Sequence, residues 1–238
     1  MLGSDRGRLQ QFHQHRMYAS MSALPQPMTA ASTRLYTWAE YLALERTAET
    51  RHEFIPVTRQ SAGGPVLGRL VAMAGATRDH VLVAGNIKGE LRQALKGEDC
   101  VAFESDLKVR LPDGRGVYPD VVVVCGKEEY EPREEDDRGR SPSPLVLLNP
   151  TIIIEVLSES TADYDRGEKF RAYRELESLR EYHLVSPDGT PSDRFVRNET
   201  GWKIDSASAS DPALPFESIG VDVPMSEVYR SVTLPVTE

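Results

Sequence analysis

Two runs of β-branched residues constrain this chain more than any other feature, because each holds a single acid. Val117-Tyr118-Pro119-Asp120-Val121-Val122-Val123-Val124 carries Asp120, and Thr151-Ile152-Ile153-Ile154-Glu155-Val156-Leu157 carries Glu155. Runs this dense in Val and Ile predict central strands covered on both faces. An ionised carboxylate there is costly unless it is paired or bound to a metal. Neither run contains a Lys or Arg. Alternation places Asp120 on one face with Tyr118, Val122 and Val124, and Glu155 with Thr151, Ile153 and Leu157. If the strands are neighbours with those faces aligned, the carboxylates converge on one divalent cation, for which oxygen ligands and waters suit Mg²⁺. Otherwise each acid sits at a strand end or meets a distant Arg.

At 238 residues and 39% hydrophobic content, the chain can build one sizeable core, with or without a small extension. No stretch approaches the roughly 20 apolar residues that cross a bilayer. No apolar segment follows a basic start, so cytoplasmic localisation is expected, with no membrane partner. Cys100 and Cys125 suggest neither a disulfide framework nor a zinc-ligand spacing. A net charge of −9 argues against a strong non-specific grip on nucleic acid, so any such reading rests on a local basic patch.

Along the chain, residues 1–33 are rich in Gln, Ser, Arg, His and Met and read as a disordered or non-native extension. Thr37 with Glu40 has the spacing of a capping box. Short strands are expected over 51–57 and 68–73 with a loop between, then a helix over 80–96. His80, Ala84, Ile87, Leu91 and Leu95 form its apolar stripe. Residues 100–111 read as one alternating strand, with Val101 on the inner face and Lys108 on the outer. The turn at Pro112-Asp113-Gly114 then returns the Asp120 strand as a hairpin. The acidic run over 127–144 reads as a solvated loop. A helix over about 165–180 puts Lys169, Ala172, Tyr173 and Leu176 on one face, where Lys169 either snorkels or serves a site. A strand over Glu181–Val185 and a polar hairpin follow. The pattern predicts an α/β (α+β) fold with a mixed central β-sheet flanked by helices. Residues 34–186 would form the domain and 187–238 a C-terminal β extension packed on it.

These residues also resemble a known family. Pro119-Asp120 followed by Glu155 in an apolar strand resembles the restriction-endonuclease-like core of PD-(D/E)XK nucleases. "RHEFI", "AMAGATRDHVLVAGNI", "SDLKVRL", "YPDVVVV", "IIIEVLSEST" and "YDRGEKFRAYRELESLREY" resemble more closely the Uma-two family of restriction-type endonucleases, from about Leu35 to Tyr182. The resemblance implies a metal-dependent endonuclease that hydrolyses DNA phosphodiesters, with a homodimer as the expected assembly. By position, Asp120 and Glu155 would bind Mg²⁺ or Mn²⁺, with the Val156 carbonyl completing the ligand set. Leu157 stands where the superfamily has its lysine, which makes Lys169 the candidate replacement. His80 and Glu53 are secondary candidates for orienting water or ligands, and Asp106 is a neighbour. Arg78, Arg166, Arg171 and Arg174 would supply a basic rim. Leu157 and the acidic total equally suit a non-catalytic nucleic-acid-binding or assembly protein that keeps the fold.

Overall fold

A computed structural model describes residues 34–57, 65–132, 145–158 and 162–235. The N-terminal extension, most of the loop expected between the strands at 51–57 and 68–73, most of the acidic run and residues 159–161 lie outside the described residues. Strand β1 (Tyr36–Thr37) leads into helix α1 (Trp38–Glu45), followed by β2 (His52–Pro56) and β3 (Leu67–Ala72). Helix α2 (Arg78–Ala94) precedes β4 (Cys100–Glu104), β5 (Lys108–Arg110), β6 (Gly116–Val117) and β7 (Val121–Cys125). After β8 (Val146–Leu147) and β9 (Ile152–Val156), α3 (Ala162–Tyr164) continues through a π-helical turn (Asp165–Lys169) into α4 (Phe170–Tyr173). Then come β10 (Glu181–Val185), β11 (Ser192–Asn198), β12 (Gly201–Ala207), β13 (Ala213–Phe216), β14 (Val221–Pro224) and α5 (Met225–Val228).

The fold is mixed α+β, as expected, but the strands divide between sheets. Among the described residues, one six-stranded sheet runs β12-β11-β10-β9-β7-β4 and another β1-β3-β2-β6-β5-β8, beside a β13-β14 hairpin. In the first, β9 is parallel to β10 and antiparallel to β7, so the two Val/Ile runs are central neighbours. The expected single strand over 117–124 is broken. Gly116 and Val117 pair with β5, Val121–Cys125 pair with β4 and β9, and the Tyr118-Pro119-Asp120 link crosses between sheets. Pro119 has no N–H, so a ladder cannot continue through it.

The expected single strand over 100–111 breaks for the same topological reason. Leu107 N–H donates to the Glu104 carbonyl at 3.1 Å, and the chain passes from one sheet to the other. The expected faces are kept in neither piece, and in β5 the successive residues Lys108 and Val109 are both buried. Val101 is exposed, Ala102 is buried, and Lys108, expected outside, is fully buried.

Each face of the β9 sheet is covered. Val121, Val123, Ile152, Ile154 and Val156 pack against Val83, Ile87 and Leu91 of α2 and against Leu214, Phe216, Met225 and Val228 near the C-terminus. Val122, Val124, Ile153 and Leu157 pack against Val109, Val117 and Leu147 of the other sheet and against Ala172, Tyr173 and Leu176. By alternation Glu155 belongs to this second face.

The helix ends follow local chemistry. Thr37 and Glu40 form the expected capping box. Helix α2 starts two residues earlier than expected because the Thr77 hydroxyl accepts from His80 N–H at 3.3 Å. The helix expected to reach residue 180 stops at Tyr173. Tight turns follow (Leu176 N–H to Tyr173 O, 3.0 Å), bury Leu176 and Leu179, and bring Arg180 N–H to the Thr151 carbonyl at 2.7 Å.

The reading of the cysteines needs correction. Cys100 and Cys125 face each other across the β4–β7 register and form a disulfide. Two cysteines 25 residues apart carry no sign of this until the strands pair. No helix among the described residues is long and apolar enough to cross a membrane.

Candidate active site

Register brings the two acids together. Val121 pairs with Ile154 across β7 and β9, so one further step sets Asp120 opposite Glu155 on the same face. Asp120 lies one residue before β7 and not inside a strand. That end position leaves the Val156 peptide without a β7 partner, and Asp120 Oδ2 accepts from Val156 N–H at 2.8 Å. Asp120 Oδ1 lies 3.0 Å from Nε2 of His80, in the first turn of α2. Leu157 N–H bonds to Val185 on the β10 side. Strand alternation therefore turns the Val156 carbonyl, like its N–H, toward Asp120.

Glu155 is nearly closed off, with 5% of its surface exposed. Its Oε1 accepts from Lys169 Nζ at 3.0 Å and from the Tyr173 hydroxyl at 2.7 Å. Lys169 Nζ also lies 3.2 Å from Glu53 Oε1 and 3.3 Å from Asp165 Oδ1. Glu53 comes from β2 in the other sheet, so the cluster joins the two sheets and the helical stretch between β9 and β10. Asp165 and Lys169 bound a π-helical turn, a distortion frequent at functional sites.

Three carboxylates thus gather around a single ammonium, largely out of water, with Asp120 opposite Glu155 as a fourth acid. Burial pushes Glu155 up to about 8, with Asp120 and Asp165 adding to the rise and Lys169 opposing it. Burial also works against the Lys169 charge, but the Glu155 and Glu53 carboxylates outweigh it and hold Lys169 well above its ordinary value. The cluster has more negative charge than it can neutralise, and an added cation would relieve that.

The donors fit a hard cation. Two opposed carboxylates and a main-chain carbonyl, completed by water or substrate oxygens, match the needs of Mg²⁺ or Mn²⁺. Among the described residues no three His, Cys, Asp or Glu side chains are grouped to hold a metal, so an all-side-chain cage of the zinc type does not fit.

The residues singled out from sequence are distributed as follows. Asp120, Glu155, Lys169, His80 and Glu53 are brought together, and Val156 lies against Asp120. Leu157 is buried in the core beside them. Asp106 is not part of the cluster, since it is exposed and pairs with Arg51. Three of the four proposed rim arginines meet nearby acids: Arg78 with Asp79, Arg166 with Asp193 and Arg174 with Glu175. Sequence reasoning missed Asp165, taken as a helix start, and the hydroxyl of Tyr173, taken as core. The signal was present in the Asp165, Lys169, Tyr173 spacing of four and four, one file along a helix facing the Glu155 strand.

Comparison with known proteins covers this whole cluster. The Uma2 family, described as "Putative restriction endonuclease", matches residues 38–225. Uncharacterized protein slr1290 of Synechocystis sp. is 31% identical over 195 residues, 81% of this chain and 90% of the relative. Uncharacterized protein sll1609 of the same organism is 31% identical over 159 residues, 66% of this chain and 78% of the relative. A solved structure described as "a putative nuclease belonging to DUF820 from Anabaena variabilis" has a TM-score of 0.60 and 14% identity, covering 83% of this chain and 99% of that one. At that identity the likeness is one of fold.

Proposed function

Because the chain belongs to the Uma2 family, we propose that it is a divalent-metal-dependent endonuclease hydrolysing DNA phosphodiester bonds. One observation carries the reading: Asp120 stands opposite Glu155 at the end of paired central strands, with Lys169 Nζ 3.0 Å from Glu155. Asp120, Glu155 and the Val156 carbonyl would hold Mg²⁺ or Mn²⁺, which supplies Lewis-acid polarisation of the phosphate and a more acidic water.

The chain's own residues divide the remaining work. Lys169 brings a positive charge to where charge develops on the phosphate, the task of the lysine that Leu157 replaces. Glu53 and Asp165 keep that ammonium charged and aimed. His80 and the Val156 N–H fix the rotation of the Asp120 carboxylate. The catalytic domain would span 34–186 with 187–238 packed on it, and a homodimer would let each copy cut one strand.

The test is cleavage of supercoiled plasmid and of single-stranded DNA with Mg²⁺ or Mn²⁺, beside Asp120→Ala and Lys169→Ala. Metal-dependent nicking should fall at least about 100-fold in either variant, as when a charge-stabilising group is removed. A folded wild type that cuts none of these substrates with either metal would overturn the proposal and leave a binding or assembly protein.

A further inference from the structure

We propose that Tyr173 is a positioning residue that turns the Glu155 carboxylate so that one defined oxygen is offered to the cation. The inference rests on the metal-site reading above and deepens it. Tyr173 is fully buried and its hydroxyl donates to Glu155 Oε1 at 2.7 Å. Lys169, one helical turn earlier, donates to the same oxygen at 3.0 Å. Two donors converging on Oε1 fix the carboxylate plane. Among the described residues no donor is seen on Oε2, which is left for a cation.

Packing alone does not call for the hydroxyl. The Tyr173 ring lies 5.0 Å from that of Tyr182, among Ala172, Leu176 and Leu157, and a phenylalanine ring would fill the same space. A buried hydroxyl has to find a partner, and this one is aimed at a carboxylate that already has the lysine. Hydrogen bonds to a ligating carboxylate set its orientation, and their loss commonly weakens metal binding by about 10–100-fold.

The experiment is titration of metal-free protein with Mn²⁺ by calorimetry, with thermal unfolding measured in parallel. Tyr173→Phe should bind Mn²⁺ about 10-fold more weakly than wild type while unfolding at nearly the same temperature. In a cleavage assay its rate should recover as Mn²⁺ is raised, because only the metal requirement has shifted. Tyr229→Phe is the control. It removes another buried hydroxyl, one that donates to the Ser186 carbonyl at 3.0 Å away from the cluster, and should leave Mn²⁺ affinity unchanged. Equal Mn²⁺ affinity in Tyr173→Phe and a metal-binding wild type would overturn the positioning role and leave the proposed function standing. A wild type that binds no Mn²⁺ would overturn both.

Discussion

Lys169 and Lys108 are both buried lysines, and their neighbours give them opposite fates. Lys169 has three carboxylate oxygens within 3.3 Å. Lys108 Nζ is fully buried with no hydrogen bond among the described residues, 3.8 Å from Glu45 Oε2 and 3.8 Å from the Tyr41 ring centre. Burial lowers Lys108 from 10.5 to about 8, with Glu45 only partly offsetting it. Between those values the unfolded chain binds more protons than the folded one, so stability rises with pH. Below about 8 both forms are protonated and the full penalty remains. Lys108→Met removes the buried charge, while Glu45 keeps its Tyr118 and His52 partners. Denaturant unfolding from pH 8 to 10 should show wild type gaining on Lys108→Met by up to about 3 kcal/mol, at roughly 1.4 kcal/mol per unit. A pH-independent difference would refute this account of Lys108. The sequence could not show it, because alternation through 100–111 placed Lys108 outside, and the burial of β5 on both faces depends on partners distant in the chain.

Among the elements, β6 shows how much a short strand can be constrained. It consists of Gly116 and Val117, and a methyl at Gly116 would sit 2.5 Å from Trp38 Cζ3 and 3.2 Å from Tyr41 Cε1. Trp38 cannot easily yield. Arg110 stacks on it 3.5 Å from the ring centre, and its indole N–H donates to Glu131 at 2.8 Å. Gly116→Ala should therefore cost about 1–3 kcal/mol and lower the thermal midpoint by several degrees, without altering the β7–β9 pairing. An unchanged midpoint would show that Trp38 moves. At this scale the sequence was informative where pattern is local. The Glu155 strand, the faces of its alternation, the α1 capping box and the Glu181–Val185 strand were all legible. The breaks in the hairpin were not, since only Pro119 marked one of them locally. Glu131, read as part of a solvated loop, instead holds Trp38, a contact made across 93 residues.

Across the whole molecule, the candidate site exists only when distant parts pack. Glu53 comes from one sheet, Glu155 from the other, Asp120 from the link between them, Lys169 from the helical stretch after β9 and His80 from α2. The C-terminal residues, which offered no readable chemistry, hold α2 in place. Asn86 Nδ2 donates to the carbonyls of Val228 and Arg230 at 3.1 and 2.9 Å, and Arg78 donates to that of Ser231 at 3.1 Å. These contacts span more than 140 residues, beyond the reach of any periodicity. The acids and the lysine could be named from sequence because a charge inside an apolar run requires an explanation. Tyr173 and Asp165 were passed over, since a tyrosine on an apolar face and an acid at a helix start are ordinary, and only their spacing of four from Lys169 marked them.

The most direct measurement is anomalous diffraction from a crystal soaked in Mn²⁺. The account predicts a peak at the site formed by Asp120, Glu155 and the Val156 carbonyl, absent from crystals of Asp120→Ala. A peak elsewhere, or none at Mn²⁺ concentrations that saturate binding in solution, would contradict it.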